Sequence, residues 1–254
     1  LCLDLDRLEQ ADTLIAEAAT LLNDHNAIPF VRGLIAARQN RLSEAISLFS
    51  KVITTEPEHV RARLNRCSAL LLKGDLASAL DDADHLVSTY PELNIARLRR
   101  AEIQMSNGDW EDAEAELRTL LDYKPEHTMA LVHLGTCLIA RGRSEQAEKP
   151  LNSALQIDQT HSDAWYQRGL LYLDFGRIDD AKQDFENAAA NDPHHIDARL
   201  KIAAILHETG DIKQAAAAWR RVLDADPEHR LARRRLEECR GPVEPPSTGP
   251  QAES

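Results

Sequence analysis

Small and large apolar residues recur along the chain at one fixed spacing. Alanine stands at seven positions that follow one another at intervals of 34 residues: Ala11, Ala45, Ala79, Ala113, Ala147, Ala181 and Ala215. A small residue precedes six of them by 12 residues (Gly33, Cys67, Ala101, Gly135, Gly169 and Ala203), and a large apolar residue follows five of them by four residues (Phe49, Leu117, Leu151, Phe185 and Trp219). Since small residues let helices approach and large ones fill the remaining space, the pattern predicts a series of similar units of closely packed helices.

Glycine and proline mark where these helices end. Glycine precedes five of the alanines by five residues (Gly74, Gly108, Gly142, Gly176 and Gly210), and proline follows five of them by 12 residues (Pro57, Pro91, Pro125, Pro193 and Pro227). Glycine can end a helix in the left-handed conformation, and proline disfavours helix at the residue before it. Asp75, Asp109 and Asp211 each follow a glycine and are interpreted as N-caps of a second helix. Each unit is therefore predicted to be a helix, a short turn and a second helix.

This 34-residue helix–turn–helix period resembles the tetratricopeptide repeat. The unit that matches best contains Trp165, Gly169, Tyr172, Ala181, Phe185 and Pro193, and departs from the family pattern only where Arg168 takes the place of leucine. The resemblance implies an all-α fold, a right-handed superhelical solenoid of antiparallel helix pairs. It also implies that the first helix of each pair lines a concave groove through positions 2, 5, 9 and 12, when the proline is counted as position 32.

The period sets the expected boundaries. Six full repeats are predicted at 26–59, 60–93, 94–127, 128–161, 162–195 and 196–229. Residues 1–25 are expected to be a partial repeat, the end of a first helix followed by a second helix, and we expect the chain to be truncated upstream because no initiating Met precedes them. Residues 230–240 are expected to form a charged C-terminal capping helix. The tail 241–254, rich in Pro, Ser and Gly, is expected to be disordered.

Charge and cysteine content exclude several classes of protein. The formal net charge is −12, which argues against a nucleic-acid-binding protein because such proteins neutralise phosphates. No run approaches the roughly 18 apolar residues of a membrane span. The four cysteines show neither a disulfide framework nor zinc-ligand spacing, and unpaired cysteines are typical of cytoplasmic proteins.

The residues that could carry chemistry do not form a reaction centre. Six histidines occupy position 34 of their units, at His25, His59, His127, His161, His195 and His229. Any two of them are at least one repeat apart, on the order of 10 Å or more, whereas zinc requires ligands at about 2 Å. We interpret them as turn residues near helix N-termini. No phosphate-binding loop, nucleophile elbow or dinucleotide motif occurs, so the sequence predicts no enzyme, no cofactor and no metal site.

Arginines at position 7 predict ion pairs inside the repeats. Arg66, Arg100 and Arg168 are each followed 16 residues later by an acid, which is Asp82, Glu116 or Asp184 respectively. Where position 7 is apolar, as at Leu134 and Ile202, the later residue is Pro150 or Ala218. Arg32, which is followed 16 residues later by Leu48, is the exception. The pairs are therefore expected to lie within salt-bridge distance, which would remove these arginines from the candidates for binding a partner.

The first helices supply the candidate partner-binding residues. They are Phe30, Leu34, Arg61, Leu64, Asn65, Ile95, Leu98, Arg99, Met129, Val132 and Tyr166. One interpretation is a groove for an apolar helix or extended segment, in which Arg61 and Arg99 meet acidic groups. The other is that such residues are half-buried between neighbouring first helices and that the arginines lie on apolar surface in water.

The favoured function is a protein–protein interaction scaffold that binds a peptide or helical segment of a partner without catalysis. Two alternatives stay open. The chain could be the accessory region of a larger enzyme whose catalytic domain lies upstream, or a self-assembling scaffold that packs on a second copy.

Overall fold

The computed structural model describes residues 27–240. The expectations for the partial repeat 1–25 and the disordered tail 241–254 lie outside the described residues. Within them the chain forms thirteen α-helices and no strand. The helices are α1 Ala27–Arg38, α2 Leu42–Thr55, α3 Val60–Lys73, α4 Leu76–Thr89, α5 Asn94–Asn107, α6 Trp110–Tyr123, α7 Thr128–Ala140, α8 Ser144–Ile157, α9 Ser162–Asp174, α10 Ile178–Asn191, α11 Ile196–Glu208, α12 Ile212–Ala225 and α13 Arg230–Arg240.

The helices belong to two compact units. The first contains α1 to α6, and the second contains α7 to α13. Within each unit every helix packs against the next one along the chain, and short turns connect them. The predicted all-α fold of antiparallel helix pairs is confirmed.

The turn between the two helices of a pair has the predicted left-handed residue. All five glycines at this position have positive φ, between 69° and 86°. In the first pair the same position holds Asn40, with φ of 59°. Asparagine is among the few residues with a side chain that visit this region, since its short amide can bond to nearby backbone. The turn therefore keeps one geometry even where glycine is replaced.

Histidines cap the first helices of four pairs and the last helix, α13. The Nδ1 atoms of His59, His127, His161, His195 and His229 accept hydrogen bonds from the backbone N–H three residues later, at 3.1–3.3 Å. The expectation that they are turn residues at helix N-termini is confirmed for these five, while His25 lies outside the described residues. Asp75 and Asp211 cap second helices as predicted, accepting from Ser78 and Gln214.

The prediction that the Asp109 side chain caps the second helix of its pair is wrong. Asp109 does stand at the N-cap position of α6, but its side chain makes no capping hydrogen bond. Its carboxylate instead accepts from Nδ2 of Asn107 at 2.7 Å. An amide side chain two residues earlier, which the other capping aspartates lack, thus competes with the backbone for the carboxylate.

Removing one histidine cap should weaken the fold measurably. The His161→Ala variant is expected to lower the free energy of unfolding by about 1 kcal/mol, because the N–H of Ala164 loses its acceptor. His161→Asn should recover most of this loss, since asparagine is a good N-cap. Urea denaturation followed by circular dichroism measures both. Equal stability of the alanine and asparagine variants would contradict a capping role.

The interior of a pair depends on a small residue that faces a large one. A Cβ atom added to Gly33, Gly135 or Gly169 would lie 2.6–2.7 Å from the side chains of Phe49, Leu151 and Phe185 respectively. Separations below 3.0 Å do not occur for real Cβ atoms. The recurring small residue is therefore required by the close contact of the two helices, as the sequence pattern predicted.

Candidate functional site

The candidate partner-binding residues lie on the first helices but differ widely in exposure. Phe30, Leu98 and Val132 are buried, with exposed fractions of 8%, 6% and 2%. Ile95 and Met129 are 41% and 37% exposed. Arg61 is exposed, and the rest are half-buried: Leu34, Leu64, Asn65, Arg99 and Tyr166. Three of the candidates thus belong to the core, and the surface that a partner can reach centres on the others.

In the first unit, aromatic and charged groups meet on this face. The guanidinium of Arg61 lies over the ring of Phe30, 5.3 Å from its centroid, and the His59 ring lies 4.9 Å from the same ring. Arg99 forms an ion pair with Glu102 on its own helix. The charge of Arg99 is therefore partly neutralised within the chain, and Arg61 is the cation that stays exposed beside apolar surface.

In the second unit, Tyr166 occupies the corresponding place. Its ring lies 4.7 Å from the ring of His195 and 5.6 Å from that of Phe185. Burial raises the pKa of the Tyr166 hydroxyl. The side chain is thus an uncharged aromatic group at neutral pH and can offer a contact surface rather than a base.

The second unit also contains a cavity of about 880 Å³. Its apolar side chains, Ile139, Leu170 and Leu173, come from positions 9 and 12 of the repeats, where groove residues were expected. Asp174 and Lys201 also line the cavity, and the rest of the lining comes from the α7–α8 turn and the first turn of α8: Gly142, Arg143, Ser144, Glu145 and Gln146. Six of its ten lining residues are polar or charged, so this cavity is more polar than the mostly apolar clefts that bind small ligands. Asp174 and Lys201 were not among the sequence-based candidates, because they lie on α9 and α11 at positions outside 2, 5, 9 and 12.

The three predicted ion pairs are confirmed. Nε of Arg66 lies 2.7 Å from Asp82 Oδ2, and Nε of Arg168 lies 2.7 Å from Asp184 Oδ2. Arg100 is hydrogen-bonded to Glu116. Asp82 and Asp184 are only 2% and 3% exposed. The hydrogen bond with Asp82 raises the pKa of the Arg66 guanidinium. These three arginines are therefore paired with acids of their own repeats and are not candidates for binding a partner.

Each of these arginines also reaches the preceding helix pair. Their second guanidinium partners are Ser50 Oγ at 3.0 Å, Asp84 Oδ1 at 3.1 Å and Asn152 Oδ1 at 2.8 Å. In each case the acceptor stands 16 residues before the arginine and the acid 16 residues after it. We call this set of three residues an arginine clasp. It joins two second helices through the first helix between them.

The described cysteines differ in their surroundings: Sγ of Cys239 lies 3.5 Å from Nδ1 of His207, whereas Cys67 is buried. Burial raises the pKa of the Cys67 thiol to about 12, and its Sγ donates to the carbonyl oxygen of Ala79. Among residues 27–240, no group of three or more His, Cys, Asp or Glu side chains could hold a metal ion. No helix in that range is long and apolar enough to cross a membrane.

Comparison with known proteins identifies the repeat. Family models described as tetratricopeptide repeat match residues 30–93, 104–171 and 172–236. No curated protein sequence matches the chain.

Solved structures share the fold at low sequence identity. A tetratricopeptide repeat protein from Parabacteroides merdae ATCC 43184 is 17% identical, covers 92% of this chain and 95% of its own, and has a TM-score of 0.76. The APC/C heterotetramer Cut9–Hcn1 is 15% identical over 91% of this chain with a TM-score of 0.78, and this chain spans 46% of that one. YrrB, described as a TPR protein with an unusual peptide-binding site, is 21% identical, covers 74% of this chain and 97% of its own, and has a TM-score of 0.52. At these identities the similarity shows the fold.

Proposed function

Because the chain belongs to the tetratricopeptide repeat family, we propose that it is a protein-interaction module that binds a peptide or helical segment of a partner on its first helices. The proposed module binds its partner without catalysis. The partner is another protein and not a nucleic acid. The segment that it presents is apolar and carries acidic groups.

One observation carries the proposal. Ile95 and Met129 are large apolar side chains that stay 41% and 37% exposed on first helices. Other apolar and aromatic side chains on the first helices are half-buried, including Leu64 in the first unit and Tyr166 in the second. Exposed apolar surface marks interaction sites when polar residues surround it. YrrB offers a precedent in the fold, since its description names a peptide-binding site.

The exposed cations support the expected chemistry of the partner. In the first unit Arg61 is exposed over the Phe30 ring, so a carboxylate and an apolar side chain of one segment can be bound side by side. In the second unit Lys201 is half-buried at the cavity that Leu170 and Leu173 line. A half-buried cation gains more from a carboxylate than one in open water, because the local dielectric is lower.

Charge substitution on the exposed part of the face tests the proposal. Peptides selected from a displayed random library on the wild-type chain are expected to bind Ile95→Glu or Met129→Glu about tenfold more weakly, because apolar contact is lost and a charge is left in its place. Fluorescence anisotropy measures the affinities. Leu98→Glu is unsuitable because Leu98 is buried, so its loss of binding would report unfolding.

Tyr123→Glu is the matched control. Tyr123 is 68% exposed on the second helix α6, so the same change from apolar to charged should leave peptide binding unaltered. Failure to select any peptide, or equal weakening by Tyr123→Glu, would contradict the proposal. A molar mass that rises with concentration in light scattering would favour the self-assembling alternative instead.

A further inference from the structure

A second cavity, of about 500 Å³, lies in the second unit between α10, α11 and α12. Its apolar lining consists of Ala189, Ala190, Ile202 and Ala218, and four charged residues complete it: Glu186, Arg199, Arg221 and Asp224. These residues stand outside positions 2, 5, 9 and 12 of the repeats. The cavity is therefore separate from the first-helix face.

The cavity lies where three other repeats hold an arginine clasp. In the sixth repeat the clasp arginine is replaced by Ile202 and the acid 16 residues later by Ala218. The third member is still present: Glu186 stands 16 residues before Ile202, where Ser50, Asp84 and Asn152 accept from an arginine in the complete clasps. The cavity thus retains the acceptor Glu186 and lacks the guanidinium.

A smaller side chain at a second position also widens the cavity. Position 28 of the repeat before this cavity is Ala189. In the repeats that precede the clasps of Arg66, Arg100 and Arg168, the same position holds the larger residues Ile53, Val87 and Leu155 respectively. The smaller side chains at Ala189 and Ala218 leave open space that a side chain from outside can fill.

We propose that this cavity receives an arginine side chain presented by a protein partner. The partner supplies the guanidinium that three other repeats carry themselves. Glu186 and Asp224 accept its hydrogen bonds, and the apolar lining covers its methylene stem. Glu186 is available, because its ion pair with Lys182 is long, at 3.9 Å, and partly exposed.

The two arginines at the cavity do not exclude a third one. Nη1 of Arg199 donates to the backbone carbonyl oxygen of Arg221 at 3.3 Å. At the same repeat position, Arg63 lies 3.0 Å from the acid that Arg66 also binds, and Arg97 lies 3.4 Å from the acid of the Arg100 clasp. The chain itself therefore packs two guanidinium groups against one carboxylate in two of its repeats.

Short blocked tripeptides test the proposal without knowledge of the partner. Acetyl-Gly-Arg-Gly-amide, added to isotope-labelled protein, is expected to shift backbone amide resonances within 186–224. The lysine analogue should bind about tenfold more weakly, since an ammonium lacks the planar fork that two carboxylates can share. The leucine analogue should produce no localised shift.

Two variants locate the binding. Glu186→Gln should weaken arginine-peptide binding about tenfold, because a charge-assisted hydrogen bond is lost, whereas Glu208→Gln, an exposed residue on α11, should not change it. Ile202→Arg/Ala218→Asp supplies a clasp from within the chain and should abolish binding. The proposal is overturned if no localised shift occurs, if the leucine analogue binds as well as the arginine peptide, or if Glu186→Gln binds unchanged. Should the double variant fail to fold, Glu186→Gln still decides.

Discussion

Replacing Asp184 with alanine is expected to lower the free energy of unfolding by about 3 kcal/mol. The Asp184 carboxylate is 3% exposed and accepts from both Nε and Nη2 of Arg168, at 2.7 and 2.9 Å. Its removal leaves a half-buried guanidinium without a counter-charge. The expected loss lies at the lower end for buried ion pairs, because Arg168 is still 18% exposed and can gain some hydration.

A double variant separates this penalty from the net contribution of the pair. Arg168→Met/Asp184→Leu should be more stable than Asp184→Ala, because no unpaired charge remains and the volume is nearly kept. Asp122→Ala, at an exposed position on α6, should change stability by no more than about 0.5 kcal/mol. Urea denaturation of the three variants measures these differences. A double variant less stable than Asp184→Ala would contradict this view of the clasp.

Replacing Gly169 with leucine is also expected to destabilise the fold by about 3 kcal/mol. Even the first added atom, Cβ, would lie 2.7 Å from Cε1 of Phe185, which is fully buried. Neither the Phe185 ring nor helix α9 can move without disturbing the packing of the pair. The gain in helix propensity from glycine to leucine, roughly 1 kcal/mol, offsets only part of this cost.

Two comparisons separate packing from other effects of the substitution. Ala217→Leu enlarges an exposed residue on α12 and should stay within about 0.5 kcal/mol of the wild type. Gly176→Ala meets no atom within 4 Å but places a side chain at φ of 69°, so it should cost about 1 kcal/mol through backbone strain alone. Thermal and urea denaturation should find Ala217→Leu the most stable of the three variants, Gly176→Ala intermediate and Gly169→Leu the least stable. A Gly169→Leu variant as stable as Ala217→Leu would show that the helices are not held at this contact.

The sequence predicted the parts of the structure that repeat. The turn glycines, the small residues opposite Phe49 and Phe185, and the pairs of Arg66 and Arg168 all recur with the period, so each copy supports the interpretation of the others. Features that occur once escaped it. Asn40 takes the left-handed turn position because an amide tolerates it, and Asp109 loses its cap to a neighbouring Asn107.

The exposure of the candidate site could not be predicted from the sequence. Ile95 and Leu98 are three residues apart on α5 and equally apolar, yet one is 41% exposed and the other 6%. The difference arises from how neighbouring helices cover each side chain, which the pattern of one helix does not encode. The two cavities were missed for a related reason, since residues from several helices line each of them.

The proposed function is tested most directly by mapping where a selected peptide binds. Backbone amide resonances of the isotope-labelled chain, recorded as the peptide is added, should shift most on α1, α3 and α5 or on α7, α9 and α11, around Ile95 or Met129. Peptide-induced shifts confined to the second helices, or none at saturating peptide, would contradict the proposal that the first helices bind the partner.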